Sequence, residues 1–455
     1  MSRRRKLFLF FLLLFAFFFL TRTIAHYNLK TDYCDEYFFD NPFWNTTQGR
    51  PLWLSIENRS FFGNHFSPIL FVFALPYFIH PSPLWIFFIQ SLLVAGTATI
   101  ILHFGQKHLK GSEDSLLIFL LLTNASLRYM GVSDFHMDNV MAFLLAVALY
   151  VLFTYKNILG ATLLFISCFL AKETAGILIA SYGLFLLLKK KMVLGLSLII
   201  FGLGGTIFLV KNIIPTFNPA DGFIFSHYYS HFGETIAEQA AFLVLHPIKS
   251  LGFLFTAPNL LYLFLLSAPL GFIPLFSSAT LLIGLLPLMQ NLLSNYRFQK
   301  DITTQYTTIL IPILFFALIL GIKQLQDGGR WTDYKKRFRP VMLFFAIISI
   351  LAFFIFQAKL YIPSARTFSA HKIMSQIPKQ APLSASTHLL VHLQYRKELY
   401  LFPQIGSADY VIFEDINPGS SPEEKEYVKT IKKLQGDKRY ALIAQENGVY
   451  LYKKL

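Results

Sequence analysis

The chain has 455 residues, 55% hydrophobic and 14% charged, with a mean hydropathy of +0.51. Soluble domains carry roughly 25% charged residues, so the composition excludes an ordinary soluble protein and predicts an all-α polytopic membrane protein. The net charge of +15 does not call for nucleic acid as a partner, because Lys and Arg cluster between apolar runs, as they do in cytoplasmic loops.

In chain order, MSRRRKLFLFFLLLFAFFFLTRT resembles a signal peptide but lacks a small-residue cleavage site, and it reads as an uncleaved first span. Arg3, Arg4, Arg5 and Lys6 stay in the cytoplasm, and the span (about 7–24) leads outward. The first external loop, 25–83, opens with DYCDEYFFDNPFWNTTQGRPLW, in which Asp32, Asp35, Glu36 and Asp40 stand among seven aromatic residues. The loop closes with HFSPILFVFALPYFIHPSP, which is short for a span and holds Pro68 and Pro76, so it reads as an interfacial or re-entrant helix.

Further spans are predicted at about 84–104, 115–131, 138–155, 157–171, 174–188, 192–211, 250–267, 269–290, 306–322 and 340–357, giving about eleven. This parity puts Lys107 with Lys110, Lys156, Lys189–Lys191 and the basic segment 323–339 in the cytoplasm of an inner-membrane protein. Counting 65–83 as a span would put the three-lysine run and the last loop outside. Residues 1–357 form the transmembrane domain, and the polar tail, 358–455, is external. In the tail SADYVIFEDINPG reads as a strand and turn, EEKEYVKTIKKL as a helix, and RYALIAQENGVYLYKKL as a hairpin turning at Asn447-Gly448. Together these make a small α/β domain. Cys168 lies in an apolar run, so Cys168 and Cys34 do not suggest a disulfide framework.

Four polar groups fall outside in this topology. They are Asp35, Glu36, Asp40 and His65 of the first loop; Asp134, His136 and Asp138 in GVSDFHMDN; Lys172 and Glu173 in AKET, at the tip of a tight helical hairpin; and Arg297, Lys300 and Asp301 in NYRFQKDITTQY. Ionisable residues at membrane depth are costly and suggest function. Carboxylates suit general-base work, and Lys and Arg suit a phosphate. Structural readings compete: a solvated acidic face, a helix cap at Asp138, a structural Lys172–Glu173 ion pair, ordinary loop cations at Arg297 and Lys300, and hydrogen-bonded interfacial histidines at His65 and His136. The loop aromatics Tyr37, Phe38, Phe39, Phe43 and Trp44 suit packing more than sugar stacking. In the tail, His392, Arg396 and Tyr400 read as structural before they read as acceptor contacts.

The ordered set DEYFFDNPFWNTTQGRPL, HFSPILF, FHMDN, AKE, NLLS, QYTTILIP, HLQYRKELYLFP and ADYVIFED resembles a family of bacterial and archaeal predicted membrane proteins. That family is similar to the GT-C glycosyltransferase superfamily, which includes protein O-mannosyltransferases and lipid A aminoarabinose transferases. The resemblance implies sugar transfer from a polyprenyl-phosphate carrier to an external glycan, lipid or protein, and a single displacement with one base would invert the sugar. It makes Asp35 the leading catalytic carboxylate, with Glu36 and Asp40 beside it, and implies carrier-phosphate contact at Lys172. Asp138 matches an acid after the third span. The chain departs from the family pattern at Glu36, Tyr37, Met137, Asp138 and Gln305. The loop acids also suit a divalent cation, and metal dependence stays open. Rival readings are a transporter or flippase for a lipid-linked or anionic substrate, and a non-catalytic membrane scaffold.

Overall fold

A computed structural model describes residues 2–455 except 32, 112, 221 and 416–421; the side chains of 34, 422 and 423 also lie outside the described set. The turn expected at Asn417-Pro418-Gly419 therefore falls outside the described residues.

Seven helices among the described residues are long and apolar enough to cross a membrane: Arg3–Tyr27, Leu84–His108, Met137–Tyr155, Met192–Phe217, Ile273–Leu293, Leu310–Asp327 and Trp331–Met374. Two bent pairs raise the number to nine. Asp114–Thr123 meets Ala125–Val132 at 59°, and Pro247–Phe255 meets Ala257–Leu270 at 62°. Each bend has a local cause. Asn124 has extended backbone and caps the second helix, its side chain accepting from Leu127 N at 2.9 Å. Thr256 is likewise extended, with Pro258 opening the next helix. Ile158–Leu170 and Ala175–Leu188 are apolar but shorter. Length and composition thus support seven to nine spans, where the sequence led us to expect about eleven.

The 65–83 segment holds no helix long enough to cross a membrane. It folds as Leu70–Ala74 and a 3-10 turn, Leu75–Phe78, with Pro76 at the start of the turn. The basic run before the last span, expected as a loop, is helical from Trp331 and continues into the apolar helix through Pro340.

Contacts divide the chain into two compact units. The first holds residues 1–19, 62–69 and 88–355, and the second holds 20–61, 70–87 and 356–455. Most of the first loop therefore groups with the tail.

In the first unit, glycines set how closely Ala175–Leu188 and Met192–Phe208 approach. A Cβ on Gly183 would lie 2.7 Å from the Gly195 carbonyl oxygen, and one on Gly195 would lie 2.8 Å from that of Gly183. Gly176 and Gly202 face each other more tightly still. Spacing of seven on both helices pairs small residues along one seam, as helices packed in lipid require. The seam fixes the helix start below which Lys172 and Glu173 sit, and Thr206 Oγ1 donates to the Glu173 carbonyl at 2.7 Å. Gly202→Val should destabilise the protein by about 2 kcal/mol or more, read as a lower thermal midpoint in detergent, because backbone is what the new side chain meets.

In the second unit, the loop helix Phe38–Thr47 leads to a two-residue ladder of β1 (Trp53–Leu54) and β2 (Arg59–Ser60). The tail forms a five-stranded sheet from β3 (Leu383–Ala385), β4 (Leu399–Leu401), β5 (Tyr410–Glu414), β6 (Tyr440–Glu446) and β7 (Val449–Lys454), in the order β4-β3-β5-β7-β6. β3 runs parallel to β4 and β5, while β7 runs antiparallel to β5 and β6. Pro422–Gly436 is the helix expected over EEKEYVKTIKKL. The β6–β7 hairpin turns at Asn447 (φ 48°) and Gly448 (φ 77°), the left-handed pair that a two-residue turn favours. Phe402, Val411, Phe413, Leu434 and Tyr452 form its core.

Candidate functional site

Each unit holds its own polar cluster. In the first unit the centre is Lys172, in the short turn between Ile158–Leu170 and Ala175–Leu188. Its Nζ donates to Asp138 Oδ2 at 3.0 Å, and the two side chains are 12% and 7% exposed. Beside it Glu173 is fully buried, and its Oε1 lies 2.9 Å from His65 Nδ1. Its Oε2 accepts from Phe66 N at 3.1 Å. Segment 65–69 is tied to the same turn, with Ser67 Oγ donating to the Ala171 carbonyl at 2.6 Å and Ile69 N to that of Leu170 at 2.9 Å.

Two expectations are revised here. Asp138 does not cap its helix through its side chain; the N-cap is His136, with extended backbone, and no side chain caps the end. Asp138 is the second residue of the helix, in its first turn, where the helix N-terminus favours a carboxylate, and it pairs with Lys172. Lys172 and Glu173 were read as one pair, yet each takes a different partner, Asp138 and His65. His136 is half-buried at the start of that helix.

Aromatic rings surround this cluster. His65 stacks on Phe225 with centroids 4.7 Å apart and planes at 6°. Tyr228 and Tyr296 stack at 4.3 Å and 1°, and the Tyr228 hydroxyl lies 3.4 Å from that of Tyr306. Tyr228 lies within electrostatic reach of Lys172, and Tyr306 of Asp138. Tyr296 and Tyr306 bracket the NYRFQKDITTQY stretch, while Phe225 and Tyr228 carried no motif in the sequence; all meet the acids only in the fold. Arg297 and Lys300 occupy a short 3-10 turn beyond Tyr296, Arg297 exposed over the Phe298 ring at 4.9 Å and Lys300 half-buried. No carboxylate among the described residues pairs with either. Partial burial pulls the Lys300 ammonium below its usual range.

The second unit gathers the loop acids. Asp35 is half-buried. Glu36 is 1% exposed, with His26 Nδ1 at 2.9 Å and Arg22 at 3.6 Å. Asp40 has no exposed surface. Tyr395 Oη donates to its two oxygens at 2.8 and 2.9 Å, Gln394 Nε2 donates to Oδ2 at 2.6 Å, and Tyr77 donates to Oδ1. Burial, with the Glu36 charge, pushes the Asp40 carboxyl up to about 8 against these three donors. Asp40 thus sits as a keystone, taking donors from both loop and tail. Glu36 and Asp40, expected beside Asp35 as catalytic acids, are both enclosed by these partners. Tyr37, Phe39, Phe43 and Trp44 are buried and pack the loop, and Tyr37 Oη donates to Glu57 at 2.9 Å. His392 is half-buried, its ring 4.1 Å from that of His26, and Arg396 is buried with Nη1 donating to the Ala381 carbonyl at 2.9 Å. Tyr400 Oη pairs with Ser407 Oγ at 2.8 Å. Among the described residues no group of three or more His, Cys, Asp or Glu converges as metal ligands.

Long apolar helices and a small mixed sheet define a multi-pass membrane protein. The chain belongs to the family described as "Predicted membrane protein (DUF2079)", whose model matches residues 25–451. Its fold is similar to that of ArnT from Cupriavidus metallidurans bound to undecaprenyl phosphate, with a TM-score of 0.54 and 11% identity over 100% of this chain and 99% of that one. It is also similar to ArnT from the same organism in the apo state, at TM-score 0.53 and 9% identity over 96% and 97%. No curated protein matches the sequence.

Proposed function

We propose that this protein is a glycosyltransferase of the inner membrane that moves a sugar from a polyprenyl-phosphate carrier to an acceptor on the outer side, with its N-terminus cytoplasmic. One observation carries the reading: a buried Asp138–Lys172 pair flanked by stacked Tyr228 and Tyr296, with two uncompensated cations at Arg297 and Lys300 on the same unit. Aromatic faces suit a sugar ring, and cations suit a phosphate. The fold of ArnT, which was crystallised with undecaprenyl phosphate, supports the same class of donor.

Charge decides which residues meet the phosphate. Lys172 is already matched by Asp138, so a dianion gains little from it while that pair is closed. Arg297 and Lys300 have charge to spare, and they stabilise the phosphate as the bond from the anomeric carbon to the phosphate oxygen breaks. The acceptor oxygen forms the new bond to the anomeric carbon, its proton passes to a carboxylate, and the carrier phosphate leaves. A single displacement inverts the anomeric centre. The base role falls to Asp35, the leading carboxylate that the family resemblance implies.

Binding tests the phosphate assignment. Undecaprenyl phosphate should bind the purified protein well above undecaprenol, and Arg297→Gln with Lys300→Gln should weaken it about ten-fold or more while undecaprenol binding stays level. Equal binding of the two lipids, or a double variant that binds the phosphate as well as the parent does, would remove the assignment. Asp35→Asn should keep lipid binding and lose sugar transfer; a transporter would keep its transport.

A further inference from the structure

A second cationic feature lies on the last long helix. Thr332, Lys335, Lys336, Arg339, Pro340 and Leu343 line a cavity of about 510 Å³. They recur at helical spacing, so one face of the helix carries all six. The lining holds three cations, one hydroxyl and no acid. Lys335 is committed to Glu113, at 2.8 Å, and Glu113 also accepts from Trp331 Nε1 at 2.9 Å. No carboxylate among the described residues pairs with Lys336 or Arg339, and both are exposed. Above them the same face turns apolar and stays exposed, through Leu343, Ile347 and Leu351. From Leu343 to Leu351 that track rises roughly 12 Å, close to the depth of one leaflet's hydrocarbon.

We propose that this face binds one anionic phospholipid, with its phosphate between Lys336 and Arg339 and its acyl chains along Leu343, Ile347 and Leu351. Charge complementarity selects the headgroup: two unpaired cations in a groove with no acid accept a phosphate diester and gain nothing from a zwitterion's ammonium. The apolar track selects a lipid over a free phosphate, which has nothing to lay along it. A basic run that served only to orient the chain would need positive charge near the membrane, not charge aligned on one helix face over an apolar groove. The topology proposed above places the site at the cytoplasmic leaflet, away from the chemistry assigned to the carrier, and it stands whether or not sugar transfer does.

The full chain in detergent, titrated with phosphatidylglycerol, phosphatidylcholine or inorganic phosphate and read by native mass spectrometry, tests it. The parent should retain phosphatidylglycerol and neither of the other two. Lys336→Gln with Arg339→Gln should weaken retention roughly ten- to thirty-fold. The charge-keeping Lys336→Arg with Arg339→Lys should hold it near the parent value, which separates lost charge from lost folding. Lys189→Gln with Lys190→Gln, in another basic run, should leave it unchanged. Equal loss in that control, retention in the neutralised variant, retention of phosphatidylcholine at the same level, or competition by inorganic phosphate at matched concentration would each overturn the site.

Discussion

Lys172→Met should lower stability by about 3–5 kcal/mol, because it leaves Asp138 buried with no counter-charge. The pair is nearly enclosed, so solvent cannot take over from the missing ammonium. Removing both charges, as Lys172→Met with Asp138→Leu, should recover most of that loss, since apolar groups of similar volume often replace a buried pair at little cost. Thermal unfolding in one detergent across the three proteins measures this. Function should not recover with stability. If the pair serves the reaction, the stable double variant still fails in sugar transfer; if the pair only holds the hairpin tip, the double variant transfers as well as the parent.

Asp40 gives the second large effect. Asp40→Ala strands the Tyr77 and Tyr395 hydroxyls and the Gln394 amide in a dry interior, and about 3 kcal/mol or more should be lost from the loop–tail unit. Asp40→Asn keeps an acceptor and, like a protonated carboxyl, supplies a donor, so it should cost far less. The folded carboxyl titrates near 8, above its ordinary 3.8. The folded state therefore holds a proton that the unfolded chain releases. That contribution is full below pH ~4 and is lost as pH rises toward 8, amounting to several kcal/mol across the window. Proteolysis of the tail should quicken between pH 5 and 9 in the parent and change less in Asp40→Asn. A parent whose tail is equally resistant across that range would refute the keystone role. Asp40→Asn with intact folding and no sugar transfer would return Asp40 to catalysis.

Much of this was legible from the residues. Hydropathy marked the helices, and the two prolines in 65–83 marked a segment that breaks into short helical pieces. The tail hairpin followed from Asn447-Gly448, whose left-handed backbone few other pairs adopt. What stayed hidden depends on long-range contact. Asp40 and Asp35 look alike in sequence, five residues apart, and only packing by Tyr77, Gln394 and Tyr395 encloses one of them. Asp138 stands where a carboxylate often caps, and only the position of Lys172 shows it is used otherwise. The basic segment 323–339 read as a loop because charge interrupts hydropathy, while helix formation tolerates Lys and Arg well. The boundary near 357 followed a change in composition, and composition does not report that 20–61 and 70–87 pack with 356–455.

The most direct test of donor-dependent sugar transfer is mass spectrometry of envelope glycans and lipid-linked sugars in cells with and without this protein. Cells lacking it should lose one sugar from an envelope component and accumulate the matching polyprenyl-phosphate sugar. Identical glycans and identical donor levels in the two strains would contradict a transferase role.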